Sequence, residues 1–245
     1  MLLDAPTLAA VAVLAVVAAT VSGMSGFGAG IILTVALVPL IGVKSVIPVL
    51  AVAGIVINAG RFWFYRKALD RRMLAIVLAA SLPFLVLGTW LYSVLDARAL
   101  SVVLGIAVMA SVPVRRILQK RRITFGSAGV AVGSGVFGFA AGIASGAGVI
   151  LVSLLLGAGL VTPAVLATDA MVSIVIDIAK AALFERFDLL DTAAFLTGVV
   201  IGVASIPGSA IAAWLVTRMG ARLHVLFMEI LILIGGASMF WHAWR

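Results

Sequence analysis

The sequence reads Ser-Gly-Met-Ser-Gly-Phe-Gly-Ala-Gly over residues 22–30 and Gly-Phe-Ala-Ala-Gly-Ile-Ala-Ser-Gly-Ala-Gly over residues 138–148. Each glycine-rich run leads into a short apolar segment, 28–41 or 148–159, of about 12–14 residues. Such a segment makes about 20 Å of helix, whereas the hydrocarbon core of a bilayer is about 30 Å thick. The two runs therefore predict helices that are broken or re-entrant inside a membrane.

The composition of the chain also indicates a bilayer. Of the 245 residues, 64% are hydrophobic and 11% are charged, and the mean hydropathy is +1.32. A soluble domain carries about twice that share of charge. The absence of cysteine excludes disulfides, thiolate metal sites and cysteine nucleophiles. The N-terminus has no basic stretch before its first apolar segment, so we expect that segment to be retained as a span.

Charged residues and Pro or Gly breaks divide the sequence into ten apolar segments. Their approximate limits are 6–22, 28–41, 46–64, 73–94, 98–114, 124–143, 148–159, 163–183, 192–216 and 222–241. We therefore predict an all-α, polytopic membrane protein with about eight spanning helices plus the two short broken or re-entrant helices.

The sequence repeats itself. At an offset of 118, Gly28-Ala29-Gly30 superposes on Gly146-Ala147-Gly148 and Asp70 on Asp188. At an offset of 124, the Ser-x-Pro that begins at Ser81 meets the one that begins at Ser205. We predict two copies of one unit, residues 1–114 and 124–245, joined by a basic cytoplasmic linker at 115–123.

Loop charge gives the relative orientation of the copies. Ten of the 17 basic residues lie in 61–72 and 115–122, and such stretches indicate cytoplasmic loops rather than a nucleic-acid groove. The loop around Asp70 is basic, whereas its counterpart around Asp188 is net acidic. We therefore predict inverted copies with both termini outside. The tryptophans near segment ends are expected to be interfacial anchors.

A helix that begins inside the membrane leaves about four N–H groups unpaired and places partial positive charge there, so an anion is its natural partner. Inverted repeats with interrupted helices indicate a secondary transporter with a central substrate site. The candidate substrate-binding residues are Ser22, Ser25, Gly26, Gly28, Gly30, Asn58, Ser145, Gly146, Gly148, Thr168 and Lys180. The competing interpretation is close helix packing through small residues.

These features resemble the TauE/SafE family of sulfite and organosulfonate exporters over nearly the whole chain. The resemblance rests on the paired glycine-rich runs, the apolar stretches that end at Asp70 and Asp188, and the later Ser-x-Pro of each half. It implies a multi-pass carrier of the bacterial cytoplasmic membrane, linked to the proton-motive force, that moves sulfite, sulfoacetate or related anions outward. A small anion, protons and membrane lipid are then the partners, with no cofactor.

Segment 163–183 carries a polar stripe. Asp169, Ser173, Asp177 and Lys180 recur at i, i+4, i+8 and i+11, and therefore share one helical face. We expect Asp177 to pair with Lys180. Asp169 has no cation at i+3 or i+4 and is the first candidate for proton coupling, with Asp177 the second. A buried ion pair that fixes helix packing is the competing interpretation.

The first copy carries Asn58 and Arg61 near the positions equivalent to the stripe. Asn58 replaces a carboxylate, so the two halves are not expected to contribute equally. Arg61 is either a group that attracts an anion or, as we expect, a side chain that snorkels to the membrane surface.

Two other functions fit parts of the sequence. Gly23-Met-Ser25-Gly26 matches the Gly-x-Ser-Gly of intramembrane serine proteases, but the two histidines, His224 and His242, are expected near opposite edges of the membrane. An anion channel could use the same helix starts without alternating access. No cluster of His, Asp and Glu has metal-ligand spacing.

Overall fold

The chain is described by a computed structural model over residues 5–25, 27–121 and 124–216. These residues form ten α-helices, one short 3-10 turn and no strand. The helices are α1 (Ala5–Ser25), α2 (Ala29–Ile41), α3 (Val43–Tyr65), α4 (Arg71–Val94), α5 (Ala97–Arg121), α6 (Ser127–Ile143), α7 (Gly148–Gly157), α8 (Thr162–Arg186), α9 (Thr192–Ala204) and α10 (Ile206–Val216), and the 3-10 turn is Arg66–Ala68. The all-α class is confirmed, and the tenth predicted segment, 222–241, lies outside the described residues.

Among these residues, three helical stretches are long and apolar enough to cross a bilayer: Val43–Ala68, Arg71–Val94 and Thr192–Leu215. On α4, the side chains of Leu87, Trp90 and Val94 are exposed. A row of large apolar side chains is unfavourable in contact with water, whereas contact with the hydrocarbon of a lipid bilayer carries no such free-energy penalty. The total of about eight spans and the arrangement in two repeats stay predictions.

The two short helices are confirmed. Helix α2 has 13 residues and α7 has 10, which gives about 20 and 15 Å of helix. Gly28 precedes α2 with φ at 112°, and Gly146 precedes α7 with φ at 110°. Backbone with such φ angles favours glycine because a Cβ atom would crowd the following carbonyl. The two helix breaks therefore have the same backbone conformation, a glycine with positive φ, at positions 118 residues apart.

Two predicted apolar segments differ in the structure. Helix α5 continues through Arg121, well past the predicted end of segment 98–114 and through most of the predicted linker at 115–123. The predicted segment 192–216 is two helices that meet at Ser205, because Pro207 lacks the N–H that would continue the hydrogen-bond ladder.

Helices α3 and α8 form the centre of the fold and run antiparallel. Arg61, late in α3, contacts Asp169, early in α8, whereas Asn58 contacts Asp177 further along α8. Around this pair, α4 packs on α6 and on α8. Helix α9 packs on α3, and α1 packs on α10.

Several glycines serve helix packing. A Cβ atom on Gly142 would lie 2.6 Å from the carbonyl oxygen of Leu85, and one on Gly138 would overlap the backbone of Ser81. In the same way, a Cβ atom on Gly23 would lie 2.5 Å from the Ala212 Cβ atom. The packing interpretation therefore holds for these three members of the runs, which join α6 to α4 and α1 to α10.

Candidate functional site

A cavity of about 100 Å³ lies where the two helix breaks meet. The start of α2 touches the break before α7: a Cβ atom on Gly30 would lie 2.7 Å from the Ser145 Cβ atom. Of the predicted site residues, the cavity is lined by Ser22, Gly28, Gly30, Asn58, Ser145, Gly146, Gly148, Asp177 and Lys180. The structure thus brings residues from both halves of the sequence together around one space.

Both short helices begin at the cavity. In α2 the first helical hydrogen bond runs from the Ile32 N–H to the Gly28 carbonyl at 3.0 Å. In α7 the Val149 N–H reaches the Gly146 carbonyl at 3.4 Å, and the Ile150 N–H reaches the Ala147 carbonyl at 2.9 Å. No side chain in the described part of the chain caps either start. The preceding N–H groups therefore lack an intrahelical acceptor, and both helix dipoles present their positive ends there.

Two cations hold the ends of the preceding helices. Arg61 donates to the Ser22 carbonyl at 3.5 Å, and Lys180 donates to the Ala141 carbonyl at 3.3 Å. Each acceptor lies 39 positions before its donor and belongs to the last turn of α1 or α6. Carbonyls in a last turn have no intrahelical donor and sit at the negative end of the dipole, so a cation stabilises them.

Asp177 is the carboxylate of the cavity. One of its oxygens lies 3.3 Å from the Lys180 Nζ atom, which confirms the expected pair, and the other accepts from the Asn58 amide at 3.1 Å. Gly54 makes room for this carboxylate, since a Cβ atom there would lie 2.9 Å from the Asp177 Cγ atom. Sequence reasoning missed Gly54, although it lies one helical turn before Asn58.

Asp169 is fully buried and does not line the cavity. Asp169 has no cation at i+3 or i+4 of its own helix, as the sequence indicates, but the Arg61 guanidinium of α3 pairs with it across the α3–α8 contact. The expectation that Arg61 snorkels to the surface is wrong, since that side chain is 3% exposed. A search within one helix cannot find a partner that the neighbouring antiparallel helix supplies.

Thr168 lies apart from the cavity. Its hydroxyl accepts the Asp70 N–H at 3.1 Å, and the Asp70 carboxylate in turn accepts the Met73 N–H at 2.9 Å and caps α4. Thr168 therefore joins the α3–α4 turn to α8. Of the other predicted site residues, Gly26 and the Ser25 side chain lie outside the described residues, as do His224 and His242 of the serine-hydrolase alternative.

The charges at the site balance. Arg61 and Lys180 oppose Asp169 and Asp177, so the formal sum is zero when both carboxylates are ionised. The two helix starts add about +0.5 each. Over the described ranges, no three His, Asp or Glu side chains come together as a metal site would require. The arrangement suits the binding of a small anion.

Paired helix breaks around a polar cavity, in a chain with lipid-facing apolar helices, define a polytopic membrane protein of the transporter class. The family described as Sulfite exporter TauE/SafE matches residues 11–239. The chain belongs to the TauE/SafE family, and the predictions of family and of membrane transport are confirmed. Comparison with curated proteins gives no match, and comparison with solved structures gives none.

Proposed function

We propose that this protein is a secondary transporter that exports a small sulfur-containing anion, namely sulfite, sulfoacetate or a related organosulfonate, across the bacterial cytoplasmic membrane. The observation that carries the proposal is the cavity on which two uncapped helix starts and two cations converge. The family supplies the substrate class and the outward direction. Because the interior of a cell is negative, the membrane potential favours anion export by about 2.3 kcal/mol per charge per 100 mV.

Two inverted copies, 1–114 and 124–245, build this site in our proposal. Three observations support them: the matching φ angles at Gly28 and Gly146, the two cations that each bind a carbonyl 39 positions earlier, and the antiparallel course of α3 and α8. The basic α3–α4 turn faces the cytoplasm by the positive-inside rule. Rocking of one copy against the other would then alternate the exposure of the cavity.

Protons are linked to the anion through Asp177. While this carboxylate is ionised, it competes with a bound anion for the Lys180 ammonium group. A proton on Asp177 removes the competing charge and leaves Lys180 to the anion, so proton and anion bind together. Asp169 likewise pairs with Arg61, which lines the cavity, and so competes with a bound anion for the Arg61 guanidinium. Proton and anion therefore move together, and the membrane potential drives their export when the anion carries more negative charges than the protons that accompany it.

The test of the proposed function is anion flux in liposomes that contain the purified protein. We expect saturable flux of sulfite, thiosulfate or sulfoacetate that accelerates when the compartment holding the anion is made electrically negative. Liposomes without protein are the control. Rapid, non-saturating chloride flux would indicate a channel instead, and the absence of flux for every anion would contradict the proposal.

Replacing Asp177 by asparagine is expected to uncouple protons from the anion. The amide keeps the shape and the contact with Asn58 but cannot take up a proton, so the number of protons moved per anion should fall on the order of tenfold. Internal pH, recorded together with anion flux, measures that ratio. Asp191→Asn is the matched control, because Asp191 is exposed, caps α9 and does not line the cavity. An unchanged ratio in Asp177→Asn would exclude Asp177 as the coupling group.

A further inference from the structure

The turn between α3 and α4 carries four exposed cations that the transport mechanism does not use: Arg66, Lys67, Arg71 and Arg72. Together with Trp63, they form what we term the α3–α4 basic surface. Asp70 is the acid of this turn, and its carboxylate is occupied by the Met73 N–H. Within the part of the chain that the structure describes, no carboxylate pairs with these four cations.

Arg66 is held in place on this surface. Its guanidinium lies 3.9 Å from the centre of the Trp63 ring, and Nη1 donates to the Trp63 carbonyl at 2.5 Å. Trp63 is 64% exposed, and exposed tryptophans at helix ends lie at the depth of the lipid headgroups. A guanidinium fixed at that depth keeps further N–H donors, which match the oxygens of a phosphate.

The α8–α9 turn has the opposite charge. Helix α8 runs antiparallel to α3, so this turn lies at the other end of the helix pair, and it carries Glu185, Asp188 and Asp191 against Arg186. The α3–α4 turn is thus net basic, whereas the turn at the other end of the pair is net acidic. The chemistry of the four cations complements the phosphodiester of an anionic lipid, which lies at the depth of the headgroups.

We infer that the α3–α4 basic surface binds the headgroup of an anionic phospholipid, and that Trp63 and Arg66 position the phosphate. This inference does not depend on the transported substrate. The α3–α4 turn is tied to α8 by the hydrogen bond from the Asp70 N–H to Thr168, next to the Asp169–Arg61 pair. A lipid bound at this turn therefore stabilises the central α3–α8 contact, and the folded protein with it.

The experiment compares thermal unfolding of the full chain in phosphatidylcholine nanodiscs with and without phosphatidylglycerol. Phosphatidylglycerol is expected to raise the Tm of the unmodified protein by about 4 °C or more. The variant R66Q/K67Q/R71Q/R72Q should lose this shift. The matched control, K44Q/R98Q, removes two exposed cations from the opposite end and should keep it.

Two double variants test the inference even if the quadruple variant fails to fold. R66Q/K67Q and R71Q/R72Q should each lose part of the Tm shift. The inference is overturned if the quadruple variant keeps the full shift, or if K44Q/R98Q loses as much. It is overturned also if soluble glycerol phosphate, added to phosphatidylcholine nanodiscs, reproduces the shift, because the ligand would then be free phosphate.

Discussion

Replacing Arg61 by methionine is expected to lower the free energy of unfolding by about 3–5 kcal/mol, because the Asp169 carboxylate would stay buried without its cation. Asp169 has no exposed surface and Arg61 is 3% exposed, so water cannot replace the lost guanidinium. Methionine keeps much of the apolar packing of the arginine stem, which limits the change to the charge. The measurement is denaturant unfolding in detergent micelles, followed by circular dichroism.

Arg98 provides the matched control, since it is an exposed arginine at the start of α5. Arg98→Met should change the free energy of unfolding by less than about 0.5 kcal/mol. The double variant R61M/D169L should recover most of the stability, because an apolar pair can replace a buried ion pair at little cost. It should still fail to transport, since Arg61 lines the cavity. If Arg61→Met were as stable as Arg98→Met, the pair would not stabilise the fold.

The fold was predictable at the helix breaks because the signal there is local. Glycine at a positive φ and an apolar segment too short to span are features of a few consecutive residues. The stripe on α8 was visible for the same reason, and its Asp177–Lys180 pair lies within one helical turn. Contacts between different helices produce no such local pattern in the sequence. Neither the partner of Asp169 nor the position of Thr168 follows from spacing along one helix.

One interhelical relation was nevertheless present in the sequence. Asn58 and Asp177 are 119 positions apart, and so are Arg61 and Lys180, close to the offset of 118 that relates the breaks. If the copies are inverted, two equivalent residues touch only near the axis that relates them. Asn58 and Asp177 do touch, through a hydrogen bond of 3.1 Å. The proposed axis would thus pass beside the cavity, which Asn58 and Asp177 both line, and the proposed copies would supply the same structural positions to one site.

Equivalent positions do not carry equivalent charge. Asp177 has a carboxylate where the first half has the neutral Asn58, and Arg61 has a distant partner, Asp169, where Lys180 has a near one. Alternating access, as we propose it, requires similar energies for the two orientations of the protein, and two matched copies of the backbone would provide them. In the same proposal, the unequal side chains allow Asp177 to take up a proton with the substrate while Asp169 holds α3 to α8.

Substituting leucine for Gly30 or Gly148 is expected to reduce transport roughly 100-fold or more. Both glycines lie at a helix start on the cavity wall. A leucine at Gly30 would push against Ser145 and separate the two breaks that present their N–H groups to the anion, and a leucine at Gly148 would crowd the other helix start. Losing two charge-assisted hydrogen bonds of about 1.5 kcal/mol each corresponds to that factor. Initial rates of sulfite uptake into liposomes measure the loss, and chromatographic elution of the purified protein reports on folding.

Gly126→Leu is the matched control, because a Cβ atom at Gly126 meets nothing within 4 Å. A rescue variant separates blocking from misfolding. Gly30→Ala places a Cβ atom 2.7 Å from the Ser145 Cβ atom, so G30A alone should slow transport and G30A/S145G should recover it. Normal rates in both leucine variants would place the anion site elsewhere. Loss in G30A without recovery in G30A/S145G would mean that the exposed N–H groups, rather than the contact between the two breaks, limit binding.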